Sequence, residues 1–241
     1  MLESISITDI GLRRKTNQDF VFVSEEPVGK LPNLFIVADG MGGHNAGDFA
    51  SKYSVDKFVN HVKENTSDLP ISIITEALEA TNESIIEKTK HNEELKGTGT
   101  TFVVATIFDD QLYVANVGDS RLYIIDDEIK QITKDHSLVQ EMIEKGKIDQ
   151  DDVSSHPNKN VITRAIGASK RIVADFFEVN LQKGNIVLMC SDGLTNMLDD
   201  EEIMNIVVNN SNRLDVAIQS LIDRANEQGG KDNISIIIVK L

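Results

Sequence analysis

An α+β fold is predicted for this 241-residue chain: two mainly antiparallel sheets packed face to face, with helices on both outer sides, a four-layer αββα sandwich. Three observations lead there. Strand-like runs joined by two to four residues fill positions 101–133, and connections that short permit only antiparallel pairing. Helical patterns come in two pairs, one before and one after that region, so each pair can cover one outer face. No internal repeat, low-complexity tract or proline-rich linker divides the chain, so residues 1–241 read as one domain.

The elements follow in order. Alternation in Ser4-Ile5-Ser6-Ile7-Thr8 and Phe20-Val21-Phe22-Val23 predicts two strands, and residues 31–39 a third. From Ala46 the period changes: Ala46, Phe49, Ala50 and Tyr53, then Val55, Phe58, Val59 and Val62, recur at helical spacing. A second helix follows Pro70, with Ile71, Ile74, Leu78 and Ile85 on one face. Strands are then expected at Thr101–Ile107, Gln111–Val117, Arg121–Ile125 and Glu128–Thr133, and a short helix near Leu138–Glu144. Residues 146–171 read as a long polar segment with few regular features, and such segments inside compact domains are commonly functional. Strands near Ile172–Val179 and Ile186–Cys190 lead to two last helices. One opens on Asp199-Asp200-Glu201-Glu202, an acidic first turn that suits a helix start. The other carries Leu214, Ala217, Ile218, Leu221, Ile222 and Ala225 and is stopped by Gly229-Gly230, and Ile234–Val239 is the final strand.

Composition excludes several classes. Lys+Arg 24 against Asp+Glu 39 gives −15, which argues against a nucleic-acid partner. No apolar run approaches the ~20 residues of a membrane span, and Met1-Leu2-Glu3-Ser4 lacks a signal-like region, so no membrane insertion is expected. A single cysteine, Cys190 in an apolar run, permits no internal disulfide and reads as a core residue; the cytoplasm is the expected compartment. Nothing points to an obligate interface, so a monomer is expected.

Most of the chemical information sits in five short aspartate clusters: Arg14-x-x-Asn17-Gln18-Asp19, Asp39-Gly40-Met41-Gly42-Gly43-His44, Gly118-Asp119-Ser120-Arg121, Ser191-Asp192-Gly193 and Lys231-Asp232-Asn233. Three follow apolar runs closely, so each of those strands ends by delivering a firmly mounted carboxylate. Converging ends would make a cage of hard oxygen ligands suited to magnesium or manganese and not to zinc. Packed carboxylates repel one another unless a divalent cation neutralises them, and a phosphate dianion would approach such a cage poorly without metal.

In this order and over essentially the whole chain, the clusters resemble those of the protein phosphatase 2C-type (PPM) family, in particular its compact bacterial members. That resemblance implies metal-dependent hydrolysis of phosphoserine and phosphothreonine in proteins, on a β-sandwich flanked by helices. It implies two Mn²⁺ or Mg²⁺ ions, with Asp39 bridging them, the Gly40 carbonyl on one, and Asp192 with Asp232 on the other. Asp119 matches an aspartate that joins Asp192 at a weaker third site, although a plain hairpin turn is a rival reading there. Arg14 is the expected phosphate ligand, with Arg13 its competitor, and Asp19 orders metal-bound water or accepts a proton. Residues 146–171 correspond to a flap beside the active site, with His156 a candidate substrate contact. The implied partners are phosphorylated proteins, including a Ser/Thr kinase that the enzyme opposes and its substrates. Many eukaryotic relatives place a histidine directly after the Asp-Gly; Met41 stands here and cannot transfer a proton. His44 or His156 could substitute, though a metal-bound water is simpler. His61, His91 and His136 read as surface or packing residues. Two rivals remain at this level: a pseudophosphatase binding module, and a hydrolase of small phosphoesters.

Overall fold

A computed structural model describes residues 2–42, 46–149 and 156–241. Two antiparallel sheets are packed face to face. One has the order β1 (Glu3–Asp9), β11 (Ile234–Lys240), β10 (Ile186–Cys190), β7 (Arg121–Ile125) and β8 (Ile129–Gln131). The other runs β2 (Asp19–Ser24), β3 (Leu34–Met41), β5 (Phe102–Phe108), β6 (Gln111–Val117) and β9 (Asp175–Asn180), with β4 (Gly99–Thr100) paired to the end of β3. Helices α1 (Ala46–Glu64) and α2 (Pro70–Lys90) cover the second sheet. The first is covered by α4 (Asp192–Thr195), α5 (Asp200–Asn209) and α6 (Leu214–Glu227), while α3 (Leu138–Glu144) follows β8.

Period-two alternation sorts the strand residues into three apolar layers. In β3, Leu34, Ile36 and Ala38 face the α1–α2 layer, whereas Phe35 and Val37 face the other sheet. In β10 and β11, Leu188, Cys190, Ile236 and Ile238 pack under α4–α6, and Val187, Met189, Ile237 and Val239 point between the sheets. Burial on both faces is why these antiparallel strands read as unbroken apolar runs. Burial also pushes the Cys190 thiol up, in keeping with a core residue. The β5–β6 turn has positive φ at both Asp109 and Asp110, the backbone that suits a tight hairpin.

The predicted architecture is present, with differences at the short elements. The expected Thr101–Ile107 strand is β5, shifted by one residue, with the separate short strand β4 before it, and the strand expected from Ile172 begins at Asp175. A 3₁₀ turn at Glu93–Leu95 and the one-turn helix α4 carry too little periodicity to be read from sequence. The flap-like segment is less irregular than its sequence suggests. Ile166 bridges Thr100, and Ile162 bridges Ser137. Residues 150–155 of that segment, and His44 with Gly43, lie outside the described residues.

Candidate active site

The layer between the sheets changes character at one end. The alternation that places Val21 and Val23, Phe35 and Val37, Val103 and Ala105, and Leu112 and Val114 in that layer continues to Asp19, Asp39, Thr101 and Asn116. On the opposite sheet it passes from Val187 and Met189 to Ser191, and from Val239 and Ile237 to Ser235. An apolar core thus gives way to polar groups on six strands at once, and the carboxylates are held where water is scarce.

Asp39 is the most firmly placed. Its N–H donates to Thr101 Oγ1 at 2.9 Å, and its carbonyl accepts from the Thr101 N–H and Thr100 Oγ1, each at 2.9 Å. β3 then continues through Gly40 and Met41, which pair with Thr100 and Gly99. Here the Asp-Gly is not the end of a strand, as the sequence implied. The glycine is required by packing: a Cβ on Gly40 would stand 1.9 Å from the Gly47 carbonyl oxygen in the first turn of α1. A Cβ on Gly47 would in turn stand 2.6 Å from the Gly40 carbonyl oxygen, so paired glycines keep that oxygen free of an overlying side chain.

Asp19 lies opposite Asp39 in the β2–β3 ladder. Its Oδ2 accepts from Ser191 Oγ at 2.7 Å across the two sheets, and its Oδ1 is sealed without a partner. Asp192 opens α4; its Oδ2 accepts from Asn196 Nδ2 at 2.9 Å, and its Oδ1 is also sealed and unpaired. Asp232 precedes β11 and accepts from Arg14 Nη2 at 2.6 Å. Asn233 straps these parts together, donating to the Ile10 and Thr16 carbonyls at 2.9 and 3.0 Å and accepting from the Gln18 N–H at 2.8 Å. The loop bearing Arg14 is therefore fixed to the residue after Asp232, while the adjacent Arg13 is exposed and makes no such ion pair.

Arg14, Asp39, Gly40, Asp119, Asp192 and Asp232 line one cleft of about 270 Å³. Asp19 sits beneath it, bonded to Ser191. From the flap-like segment, Asn160 and Ile162 reach the cleft; His156 is not among its lining residues, and its Nδ1 accepts from the Asn158 N–H at 3.2 Å. Met41 lines the cleft at the position where a proton donor is absent.

Burial, then the neighbouring carboxylates, raise the proton affinity of Asp19, Asp39, Asp119 and Asp192. Asp19 rises to about 7, with hydrogen bonds from Ser191 and Ser235 opposing the rise, Asp119 to about 8 and Asp192 to about 6. Asp39 lies well above the carboxylate range, through burial and then the charge of Asp19. Arg14 is raised by its hydrogen bond to Asp232. Buried, mutually repelling carboxylates with unpaired oxygens are the donor set a divalent cation satisfies. Among the described residues no three His, Cys, Asp or Glu side chains close around a single point. Mg²⁺ is commonly held by one or two carboxylates and completed by water. The residues present fit the metal.

Ser191, Asn233 and Thr101 are the site residues that sequence reasoning left without a role. Two of them stood inside the motifs, and the signal was available: each is a small polar residue where the apolar alternation breaks off.

A cleft of buried carboxylates with one arginine at its rim, between two sheets, defines a metal-dependent phosphoester hydrolase. Residues 6–234 match the protein phosphatase 2C family. The serine/threonine phosphatase stp of Listeria innocua is 39% identical over 97% of this chain and 93% of its own. Protein phosphatase PhpP of Streptococcus pneumoniae is 38% identical over 100% of this chain and 98% of its own. Among solved structures, the S. agalactiae serine/threonine phosphatase superposes with a TM-score of 0.91 at 36% identity, covering 100% of both chains. The catalytic domain of the phosphatase PstP, solved in complex with two manganese ions, has a TM-score of 0.87 at 28% identity, covering 99% of this chain and 97% of its own. The chain belongs to the protein phosphatase 2C family, whose members are metal-dependent serine/threonine phosphatases.

Proposed function

We propose that residues 1–241 form a single catalytic domain that dephosphorylates phosphoserine and phosphothreonine proteins at a two-metal centre in this cleft. Asp39, the Gly40 carbonyl, Asp192 and Asp232 would hold the two ions. Asp119 and Asp192 form a weaker third position. Bound Mn²⁺ or Mg²⁺ supplies an acidified water and neutralises phosphoryl charge. The chain's own groups do the rest. Arg14, fully charged and planar, exchanges its hydrogen bond to Asp232 for two phosphate oxygens. Asp19, buried and held by Ser191, is placed to order water above it or to take up a proton. The flap-like segment 146–171 meets the protein substrate, with His156 outside the cleft and Asn160 and Ile162 on it.

The observation that carries this reading is the convergence of carboxylates from both sheets on one cleft with Arg14 as its cationic wall. No described helix is long and apolar enough to cross a membrane. A cytoplasmic, monomeric enzyme that opposes a Ser/Thr kinase and acts on its substrates is the physiological role we assign. The test is hydrolysis of a phosphothreonine peptide, with a small aryl phosphate in parallel, after EDTA and after Mn²⁺ or Mg²⁺ is returned, with calorimetry counting the ions. Metal-restored activity on the peptide and two tight sites are expected; undiminished activity in EDTA would overturn the two-metal reading.

A further inference from the structure

His136 lies just before α3, outside the cleft and outside every motif noted in the sequence. It is not the ordinary packing residue its position suggested. The residue is buried, and its backbone groups and both ring nitrogens have polar neighbours. Its ring Nδ1 accepts from the Gly118 N–H at 3.0 Å, and its own N–H donates to the Gly118 carbonyl at 2.9 Å. Both backbone groups of the residue before Asp119 thus bond to one histidine, and the carbonyl also accepts from Asn116 Nδ2 at 3.2 Å. Gly118 has φ 115, a conformation that side-chain-bearing residues rarely adopt. A Cβ there would also stand 2.6 Å from Thr101 Cβ. Only glycine fits here, and its permissive backbone leaves the shape of the turn to the hydrogen bonds it makes.

The far side of the ring faces the flap-like segment. With Nδ1 accepting, the neutral ring carries its proton on Nε2, 3.2 Å from Asp175 Oδ2, and Arg164 Nη1 lies 3.1 Å from the same nitrogen. Asp175 Oδ1 accepts from Arg164 Nη1 at 2.7 Å, and the Thr163 N–H donates to the His136 carbonyl at 2.7 Å. Asp175 is itself fixed opposite Asn116 in the β6–β9 ladder. The chain of contacts runs from the Asp119 turn through His136 to Asp175, Arg164 and Thr163.

We infer that His136 is a positioning residue that sets the Asp119 carboxylate and couples its position to the Thr163–Arg164 part of the flap-like segment. The inference rests on the reading of Asp119 as a metal ligand. Two substitutions divide the ring. The amide oxygen of Asn falls near Nδ1, so His136→Asn keeps an acceptor for Gly118; the longer amide of Gln falls near Nε2, so His136→Gln keeps the Asp175 contact and strands the Gly118 N–H.

The experiment measures kcat and the Mn²⁺ concentration for half-maximal activity in His136→Gln, His136→Asn, Asp119→Ala and the Gln/Ala double variant, with thermal unfolding of each. His136→Gln should lower kcat about tenfold and raise the Mn²⁺ requirement, while His136→Asn stays within about threefold of wild type. In the Asp119→Ala background, His136→Gln should have no further effect, because both act through one carboxylate. Should His136→Gln fail to fold, Asp175→Asn takes its place in the cycle, with the same non-additivity expected. Wild-type kinetics in His136→Gln beside an impaired Asp119→Ala would overturn the inference alone. So would additive effects, or equal losses in the Gln and Asn variants that merely track their melting temperatures. Wild-type kinetics in Asp119→Ala would instead overturn the reading of Asp119, and the inference with it.

Discussion

On the sheet of β2, β3 and β5, Asp19 and Asp39 stand opposite each other inside a backbone ladder, their main-chain groups pinned by neighbouring strands. On the sheet of β10 and β11 the carboxylates stand outside the ladder: Asp192 opens a one-turn helix, and Asp232 sits on a loop whose geometry depends on the Asn233 side chain. The first pair is rigid because β-pairing cannot slip without turning the carboxylates into another layer. The second pair can adjust by small loop and side-chain movements, and Asp232 already holds a cationic partner, Arg14. The site thus joins a fixed half to an adjustable half, and the two can be tested separately.

The fixed half should carry the largest loss. Asp39→Asn should cut turnover by more than about a hundredfold, beyond the range seen when only a partner of a metal ligand is removed. Its metal-free melting temperature should be no lower than that of wild type, since one of several repelling charges is gone. A variant that unfolds yet turns over normally per folded molecule would break the comparison.

The same crowding predicts a pH response. An aspartate whose pKa is raised by folding binds more protons folded than unfolded, so its ionisation costs stability. That cost is absent below the unfolded value near 3.8 and complete above the folded values, which reach about 8 for Asp119. The metal-free protein should lose thermal stability as pH rises through that window, and Mn²⁺ or Asp39→Asn should flatten the slope. A melting temperature that climbs between pH 5 and pH 8 in EDTA, on the order of the usual carboxylate behaviour, would contradict the electrostatic account.

For the adjustable half, Arg14→Ala should raise KM about tenfold for a phosphopeptide, with a smaller fall in kcat, as lost binding common to ground and transition states would. Arg13→Ala should change little, and steady-state kinetics of both would reveal a reversed ranking. A modest effect on turnover is expected where the halves touch. Ser191→Ala removes the donor to Asp19 and the acceptor of the Ser235 N–H. A stability loss of about 1–3 kcal/mol in chemical denaturation is expected, with kcat kept within about tenfold.

Much of this was readable from the residues, for a physical reason. Alternation in Ser4–Thr8 and the apolar run Ile234–Val239 are local, and so is the helical spacing from Ala46 to Val62; such patterns survive in a linear string. Asp39, Asp192 and Asp232 stood out because each interrupts an apolar strand or adjoins one. What the string hid was set by distant partners. Gly40 continues a strand because Gly47 lies against it, not because a turn begins. His136 passed as a packing residue because its ring bonds Gly118, 18 residues away, and an aspartate on β9. β4 and α4 are too short for either period to register.

The strand order has a consequence for synthesis. β1 takes its hydrogen-bonded neighbour from β11, and the loop carrying Arg14 is held by Asn233. The opening segment therefore leaves the ribosome without a pairing partner and waits for nearly the whole chain to follow. Closing so long a loop is slow compared with local helix formation. A nascent chain arrested before residue 232 should hold no assembled centre and release no phosphate, whereas one extended well past Lys240, clear of the exit tunnel, should. The centre is assembled only when its first and last strands have met.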